Sequence, residues 1–349
     1  MINLNMQLQE ILDRALDGQA LTRDEMVQLL RYSEFSLEAG QIRAFSNHLS
    51  RKRMDNHAFL SGQIGYSTAP CRGDCVFCVF AAGHSTFPVT EMSVEEVTAH
   101  ALKFASNGLL GNLWLMSMHN FNVDRFTELL RAVREVLPPS VMLSSNIGDL
   151  TLEDAKRLKQ EGLDGAYHSI RLREGIDTKL DREERIQSVR NIREAGLFWG
   201  FCCEPIGPEH SPEELADHIS FGMSLKPQSM SAMRRVYLPN SPIADRGQIT
   251  LLRLAQIAAV ASLAALADPD IQIIGSHEPS LIGLTSGANS GCAESGANPR
   301  DESVETSVGR GLTVDDLARM FYEAGFDGVI RGDGSRVSLK NYYQLNPPQ

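Results

Sequence analysis

The feature of this sequence that most constrains its fold is a regular alternation of short apolar runs with amphipathic segments from Phe59 onward. Amphipathic segments begin where a hydroxyl residue precedes an acid by three positions, as at Ser93, Thr151, Ser211 and Thr313. The predicted strands are residues 58–66, 112–118, 141–146, 164–170, 198–204, 230–237, 271–275 and 288–291. Eight strands separated by helices predict an α/β fold, a (β/α)8 barrel of the TIM type.

The segment before the first strand is predicted to be helical. Leu8, Ile11 and Leu12 share one helical face, and Thr22 with Glu25 has the spacing of a capping box. We therefore divide the chain into an N-terminal helical extension, residues 1–55, and a barrel domain, residues 56–349, with a C-terminal helix beginning at Thr313. The active site is expected where the strands end, at their C-terminal edge.

Three of the six cysteines lie together directly after the first strand, in Cys71-Arg-Gly-Asp-Cys75-Val-Phe-Cys78. Thiolates are soft ligands that suit iron–sulfur clusters or zinc. A four-ligand zinc site normally adds a second ligand pair, and none is evident here. The triplet therefore predicts a [4Fe–4S] cluster held by Cys71, Cys75 and Cys78, with one iron open. A non-catalytic zinc-binding protein is the alternative from another class.

This spacing, with Phe77 before the last cysteine, resembles the radical S-adenosylmethionine (SAM) superfamily. Residues 241–245, Ile206-Gly207 and residues 287–292 are similar to the biotin synthase group, which includes the hydrogenase maturase HydE and methylornithine synthase. The segment from about residue 240 to residue 330 resembles the C-terminal region of that group. The resemblance implies SAM chelated to the open iron, and a 5′-deoxyadenosyl radical that abstracts hydrogen from a small-molecule substrate in cofactor or metabolite biosynthesis. It also implies an electron donor such as flavodoxin or ferredoxin.

The sequence departs from biotin synthase where that enzyme holds a second cluster with inner-strand cysteines and an arginine. The second strand has no cysteine, the third-strand position falls near Ser144, and the arginine position falls at Gln272. Carbon-skeleton rearrangement or bond cleavage, by a mutase or lyase, is therefore favoured over sulfur insertion by a transferase.

Three further cysteines keep sulfur insertion open as the alternative. Cys202 and Cys203 are neighbours on the fifth strand, so only one of them can face the barrel lumen. Cys292 is expected in a glycine-rich turn near the barrel mouth. Each is a candidate ligand of a second iron–sulfur cluster or metal, and buried hydrophobic filler is the alternative.

Polar residues at the predicted strand ends are the further site candidates. The SAM-binding candidates are Phe77, Ser117, Asn146, Ser169, Arg171, Arg173, Arg182, Glu204 and Ile206. The catalytic candidates are His168, Arg171, Arg235, His277 and Glu278. Arg171, Arg173 and Arg182 compete for the SAM carboxylate, because a guanidinium group binds a carboxylate through two hydrogen bonds. Of Arg234 and Arg235, one is expected to face the lumen and bind a substrate carboxylate, and the other to pair with a helix.

Charge and hydropathy limit the kinds of partner and the cellular location that the sequence predicts. The net charge is −11 and no stretch is rich in Lys or Arg, which argues against nucleic acid or an anionic membrane as partner. The apolar residues 250–267 are interrupted by Arg253 and Gln256 and fall short of the about 20 that span a membrane, so they predict a buried helix. Residues 1–9 lack a secretory pattern, and a cytoplasmic location is expected.

Overall fold

The fold is built around a closed barrel of parallel strands. The computed structural model describes residues 5–68 and 70–345. Its strands are β1 (His57–Gly65), β2 (Ser67–Thr68), β3 (Thr90–Glu91), β4 (Asn112–Met116), β5 (Met142–Asn146), β6 (Gly165–Tyr167), β7 (Phe198–Ile206), β8 (Ser229–Arg234), β9 (Ile273–His277), β10 (Ser290–Gly296), β11 (Gly328–Ile330) and β12 (Arg336–Ser338). Strands β4 to β10 pair in chain order, and β1 pairs with both β4 and β10. These pairings close the predicted (β/α)8 barrel.

Helices surround the barrel strands. They are α1 (Met6–Leu16), α2 (Arg23–Arg31), α3 (Leu37–Arg53), α4 (Val94–Ala105), α5 (Val123–Val136), α6 (Leu152–Gln160), α7 (Arg182–Glu194), α8 (Pro212–Ser224), α9 (Leu251–Ala265), α10 (Leu281–Leu284), α11 (Val314–Glu323) and α12 (Leu339–Leu345). The side chains of Ser93, Thr151, Ser211 and Thr313 each accept a hydrogen bond from the backbone three residues on. Local hydrogen bonding thus sets these boundaries.

The three N-terminal helices pack on one side of the barrel. Helix α2 contacts α8 and α9, and α3 contacts α9. Their buried residues, such as Leu29 and Ile42, belong to the same hydrophobic core as the barrel. The division of the chain at residue 55 stays a prediction. Helix α9 is buried as expected, and within residues 5–68 and 70–345 no helix is long and apolar enough to cross a membrane.

Two parts of the predicted fold need correction. The eighth barrel strand is Ser290–Gly296 rather than residues 288–291, so Cys292 lies within a strand and not in a turn. Small residues resemble a turn in sequence, but here they allow the end of β10 to approach β1: a Cβ on Gly65 would lie 1.8 Å from the carbonyl oxygen of Ala297. The β11–β12 hairpin and α12 were not predicted, and β11 extends the sheet beside the start of β1.

Candidate active site

The cysteine triplet lies on the loop between β2 and β3, at the C-terminal edge of the barrel. The two strands pair and hold the ends of the loop together. The Cys71 amide donates to Phe80 O (2.8 Å), and the Val76 amide donates to Asp177 O (3.0 Å). The Ser241 hydroxyl donates to Val76 O (2.5 Å), which gives the segment at 241–245 a structural role. The loop is therefore fixed by two other loops at the same edge.

All three thiols of the triplet face one cavity at the barrel mouth. Cys71, Cys75 and Cys78 line it together. Burial raises the pKa of the Cys75 thiol to about 11, and burial followed by the nearby Cys75 raises the pKa of Cys78. The Phe80 amide donates to Cys78 Sγ (3.4 Å). Thiols that oppose one another's ionisation become stable thiolates only beside a cation, so this donor set fits an iron–sulfur cluster.

The cavity continues from the cysteine loop into the barrel lumen. It encloses about 1860 Å³ of empty space, counting its open mouth. The apolar part of its floor includes Phe59, Trp114, Met142, Phe198 and Ile273, and polar side chains such as Ser61, Asn112 and Ser229 also line the cavity. Polar groups are concentrated at the strand ends, on two opposite sides of the mouth. Polar ligands can therefore be bound at either side of the mouth.

On the β4–β6 side, Asp149 joins two basic side chains. His168 Nε2 lies 2.9 Å from Asp149 Oδ1, and Arg185 Nη1 donates to the same oxygen (3.1 Å). Burial alone would raise the pKa of Asp149, but His168 and the charge of Arg185 lower it to about 2. Burial and Arg185 lower the pKa of His168 to about 3, so His168 is neutral at pH 7. His168 contacts Asp149 and is not among the residues that line the cavity, and its catalytic role stays a prediction.

The structure separates the arginines that the sequence left equivalent. Arg171 lines the cavity, with Cζ 6.0 Å from the centre of the Phe77 ring. Arg173 instead donates to Glu214 (3.1 Å), and Arg182 lies 4.3 Å over Phe221, so neither lines the cavity.

Arg185 lines the cavity and was missed by the sequence analysis. A signal was present: Arg185 shares the buried face of α7 with Ser188, Val189 and Ile192, where the helical period leaves no place for an exposed arginine.

Other predicted SAM-binding residues also meet at this side. Phe77, Ser117, Asn146, Ser169 and Glu204 all line the cavity. At this side of the cavity, three buried polar atoms of lining residues have no hydrogen-bond partner among the described residues: His119 Nδ1, Ser169 Oγ and Arg185 Nε. Unpaired buried polar atoms are costly without a partner, so they fit a polar ligand. Ile206 belongs to the hydrophobic core and is not among the residues that line the cavity, so its role in SAM binding stays a prediction.

On the opposite side, β8 and β9 end in ion pairs. Arg234 donates to Glu278 (2.9 Å), and Arg235 donates to Glu209 (3.0 Å). Both arginines line the cavity and neither pairs with a helix, so the expected division of roles between them is wrong. The reason is that β8 ends at Arg234, and the chain beyond it no longer alternates as a strand. His277 lines the cavity, whereas Glu278 points to its arginine partners and does not.

The remaining cysteines occupy three different environments. Cys203 is part of the hydrophobic core, Cys202 is buried beside Tyr167 and Glu204, and Cys292 lines the cavity. Thus only Cys202 of the adjacent pair is on the lumen side, as alternation requires. Gln272 is exposed and precedes β9, so it does not stand at an inner position.

The closed barrel thus carries a three-cysteine loop and a cavity with polar walls at its C-terminal edge. Residues 66–222 match the family model of the Radical SAM superfamily, and the chain carries a radical SAM domain there. It is 23% identical over 292 residues to biotin synthase of Sulfurihydrogenibium sp. (strain YO3AOP1), covering 78% of this chain and 83% of that one. Biotin synthase of Magnetococcus marinus is 26% identical over 288 residues, covering 77% and 83%.

Two solved structures share the fold. Methylornithine synthase (PylB) superposes with a TM-score of 0.76 at 15% identity, covering 96% of this chain and 99% of that chain. The FeFe-hydrogenase maturase HydG from Carboxydothermus hydrogenoformans gives a TM-score of 0.75 at 16% identity, covering 92% and 79%. The radical SAM domain with biotin synthase relatives and these structural neighbours matches the group that the sequence resembled.

Proposed function

We propose that the protein is an enzyme that cleaves SAM reductively at a [4Fe–4S] cluster on Cys71, Cys75 and Cys78 and abstracts hydrogen from a small molecule in the barrel. The observation that carries the proposal is the common cavity, which joins the three thiols to unpaired polar atoms across its mouth. A low-potential electron donor such as flavodoxin or ferredoxin supplies the electron. The free thiols suit the reducing cytoplasm.

The side chains of the cavity have separate tasks. When bound, the cluster supplies the electron that splits SAM into methionine and a 5′-deoxyadenosyl radical, which removes a hydrogen atom from the substrate. Arg171 and Arg185 offer guanidinium groups to the SAM carboxylate, and the Ser169 hydroxyl offers a further polar contact. Phe77 borders the same space. The apolar floor excludes water from the reacting carbon.

Rearrangement or bond cleavage is the reaction class we favour. The lumen-lining residues of β4 are Asn112, Trp114 and Met116, and the β5 side chain at the floor is Met142. None of these is a thiolate ligand, so the wall where a sacrificial second cluster needs cysteines offers none on β4 or β5.

Substitution of one cluster ligand tests the proposal. Cys75→Ala should lower the iron content after anaerobic reconstitution from about four per chain and abolish 5′-deoxyadenosine formation with dithionite. Cys203→Ala is the matched control, because its thiol is buried in the core away from the cavity; it should keep both. Stoichiometric zinc in the wild-type protein, without SAM cleavage, would instead support the zinc-binding alternative.

Sulfur insertion is the second candidate, favoured by the biotin synthase relatives and by Cys202 and Cys292 on the lumen side. It requires a second cluster and therefore about six to eight irons per chain. The double variant Cys202→Ala/Cys292→Ala then loses the extra iron and keeps SAM cleavage. If the wild-type protein and the double variant both hold about four irons per chain, that result supports rearrangement or cleavage.

A further inference from the structure

We propose that the substrate of this cavity is an organic acid whose carboxylate is bound at the β8–β10 side by Arg300 together with Arg234, with Arg310 behind them in the same ion-pair network. The inference rests on the proposed function and names the substrate class of the same site. Arg300 and Arg310 lie beyond β10 and were not among the residues that the sequence singled out.

The three arginines form one network with two glutamates. Arg300 Nη2 donates to Glu294 Oε1 (2.9 Å), and Arg310 donates to Glu294 Oε2 (3.3 Å) and to Glu278 Oε1 (3.1 Å). Arg234 donates to Glu278 Oε2 (2.9 Å). Arg234, Arg300 and Glu294 line the cavity, while Arg310 and Glu278 stand behind them. The network therefore fixes guanidinium groups at the wall opposite the SAM candidates.

Each arginine of the network keeps a buried donor without a partner. These atoms are Arg234 Nε, Arg300 Nη1 and Arg310 Nε, and none has a hydrogen-bond acceptor among the described residues. The Arg300 side chain is only 14% exposed. Buried cationic donors lose their hydration and are stabilised only when an acceptor reaches them. An anionic acceptor from a bound molecule satisfies Arg234 and Arg300 where they face the cavity.

The charges of the two sides differ in sign. At the β8–β10 side, three guanidinium groups face two carboxylates, Glu278 and Glu294, which leaves one positive charge. At the β4–β6 side, Arg171 and Arg185 face Asp149, Glu174 and Glu204, which leaves one negative charge because His168 is neutral. SAM carries a sulfonium, an ammonium and a carboxylate and is singly positive. Each subsite is thus complementary to one ligand.

The remaining positive charge selects a carboxylate. A phosphate monoester carries about −1.5 to −2 charges at pH 7 and would leave excess negative charge in a buried site. A carboxylate carries one charge and matches the planar fork of Arg300. The apolar floor, with Phe198 and Ile273 below this side, accommodates an aliphatic chain.

The test compares carboxylates with their uncharged amides on the reconstituted protein, with SAM present and no reductant. The probes are butanoate, hexanoate and octanoate and the corresponding primary amides, measured by isothermal titration calorimetry. At least one acid should bind about tenfold or more tightly than its amide. Arg300→Met should abolish that preference, and Arg300→Lys should retain part of it. Arg131→Met is the control, because its surface pair with Glu161 also loses one positive charge, far from the cavity.

Three results would overturn the inference: no acid is preferred over its amide, Arg300→Met retains the preference, or butyl phosphate binds more tightly than every acid. Circular dichroism checks that Arg300→Met folds; if it does not, the comparison of wild type with Arg300→Lys decides. SAM cleavage by the wild type is measured in parallel. Cleavage without carboxylate preference defeats only this inference, whereas the absence of cleavage defeats the proposed function.

Discussion

At the scale of single residues, burial distinguishes the arginines that the sequence presented as equals. Arg173 has a positive φ of 55°, and its side chain pairs with Glu214 on α8. Arg185 is held in the interior by Asp149 and by the carbonyl oxygen of Ser169. A buried guanidinium that keeps one unpaired donor on a cavity wall is suited to bind an anion there.

Exchanging Arg185 for methionine should therefore weaken SAM binding. We expect Arg185→Met to raise the Kd of SAM by about tenfold or more, because the carboxylate loses a buried charged donor. Arg185→Lys should recover part of the affinity. Equilibrium dialysis of reconstituted protein without reductant gives these constants. Arg173→Met, which removes an arginine outside the cavity, should leave the Kd unchanged; an effect there with none at Arg185 would contradict the assignment.

At the scale of elements, the two polar residues that interrupt the apolar helix α9 join it to α2. Gln256 donates to Leu29 O (3.1 Å) and Tyr32 O (2.8 Å), and Arg253 donates to Leu30 O (2.9 Å). These carbonyls lie at the C-terminal end of α2, where intrahelical donors are absent. The two polar residues that interrupt the apolar pattern of α9 thus cap the end of α2, a helix from a distant part of the chain.

Gln256→Leu should destabilise the fold. The change leaves the buried Leu29 carbonyl oxygen without this donor, while Tyr32 O keeps a longer hydrogen bond from Arg253 (3.4 Å), and an unsatisfied buried group costs about 1–3 kcal/mol. Ser262→Ala on the same helix is the matched control: Ser262 is also fully buried, but its hydroxyl has no partner among the described residues. Urea unfolding of the two variants should show a lower free energy of unfolding only for Gln256→Leu. Equal losses would show that burial, and not capping, is responsible.

At the scale of the whole molecule, three histidines couple stability to pH: His168 and His218 are buried, and His277 is half-buried on the cavity wall. Burial is the main cause in each case; it lowers the pKa of His168 and His218 to about 3 and that of His277 to about 4. In the unfolded chain a histidine has a pKa of about 6.5. Between these values the unfolded state binds more protons than the folded state. The stability that these neutral histidines contribute is therefore fully present above about pH 6.5 and is lost as the pH falls below that value.

The free energy of unfolding should decrease by up to about 1.4 kcal/mol per pH unit for each of these histidines below about pH 6. His218 packs against Phe201 and Phe221 and does not line the cavity, so His218→Phe removes one titrating group without touching the site. Urea unfolding from about pH 6 to about pH 5 should show a shallower slope for this variant. His48→Gln, at an exposed position, should keep the wild-type slope. A slope unchanged by His218→Phe would refute the coupling.

Several features could be predicted from sequence because they depend on neighbours in the chain. The cysteine spacing, the capping hydroxyl of Thr313 and the barrel strands are local patterns that the structure retains. The extent of β10 could not be predicted, because its small residues serve contact with β1, which is more than 200 residues away in the chain.

The sequence by itself determined the alternating barrel and the position of a three-cysteine loop after its first strand. Tertiary structure alone decided which charged side chains share the lumen. Asp149 with Arg185, and Glu278 with Arg234 and Arg310, meet only because the barrel brings separate strand ends to one edge. Desolvation at that edge then makes each unpaired donor require an acceptor. The physical reason is that burial and charge balance are properties of the closed barrel, whereas helix caps and ligand spacing are properties of short segments.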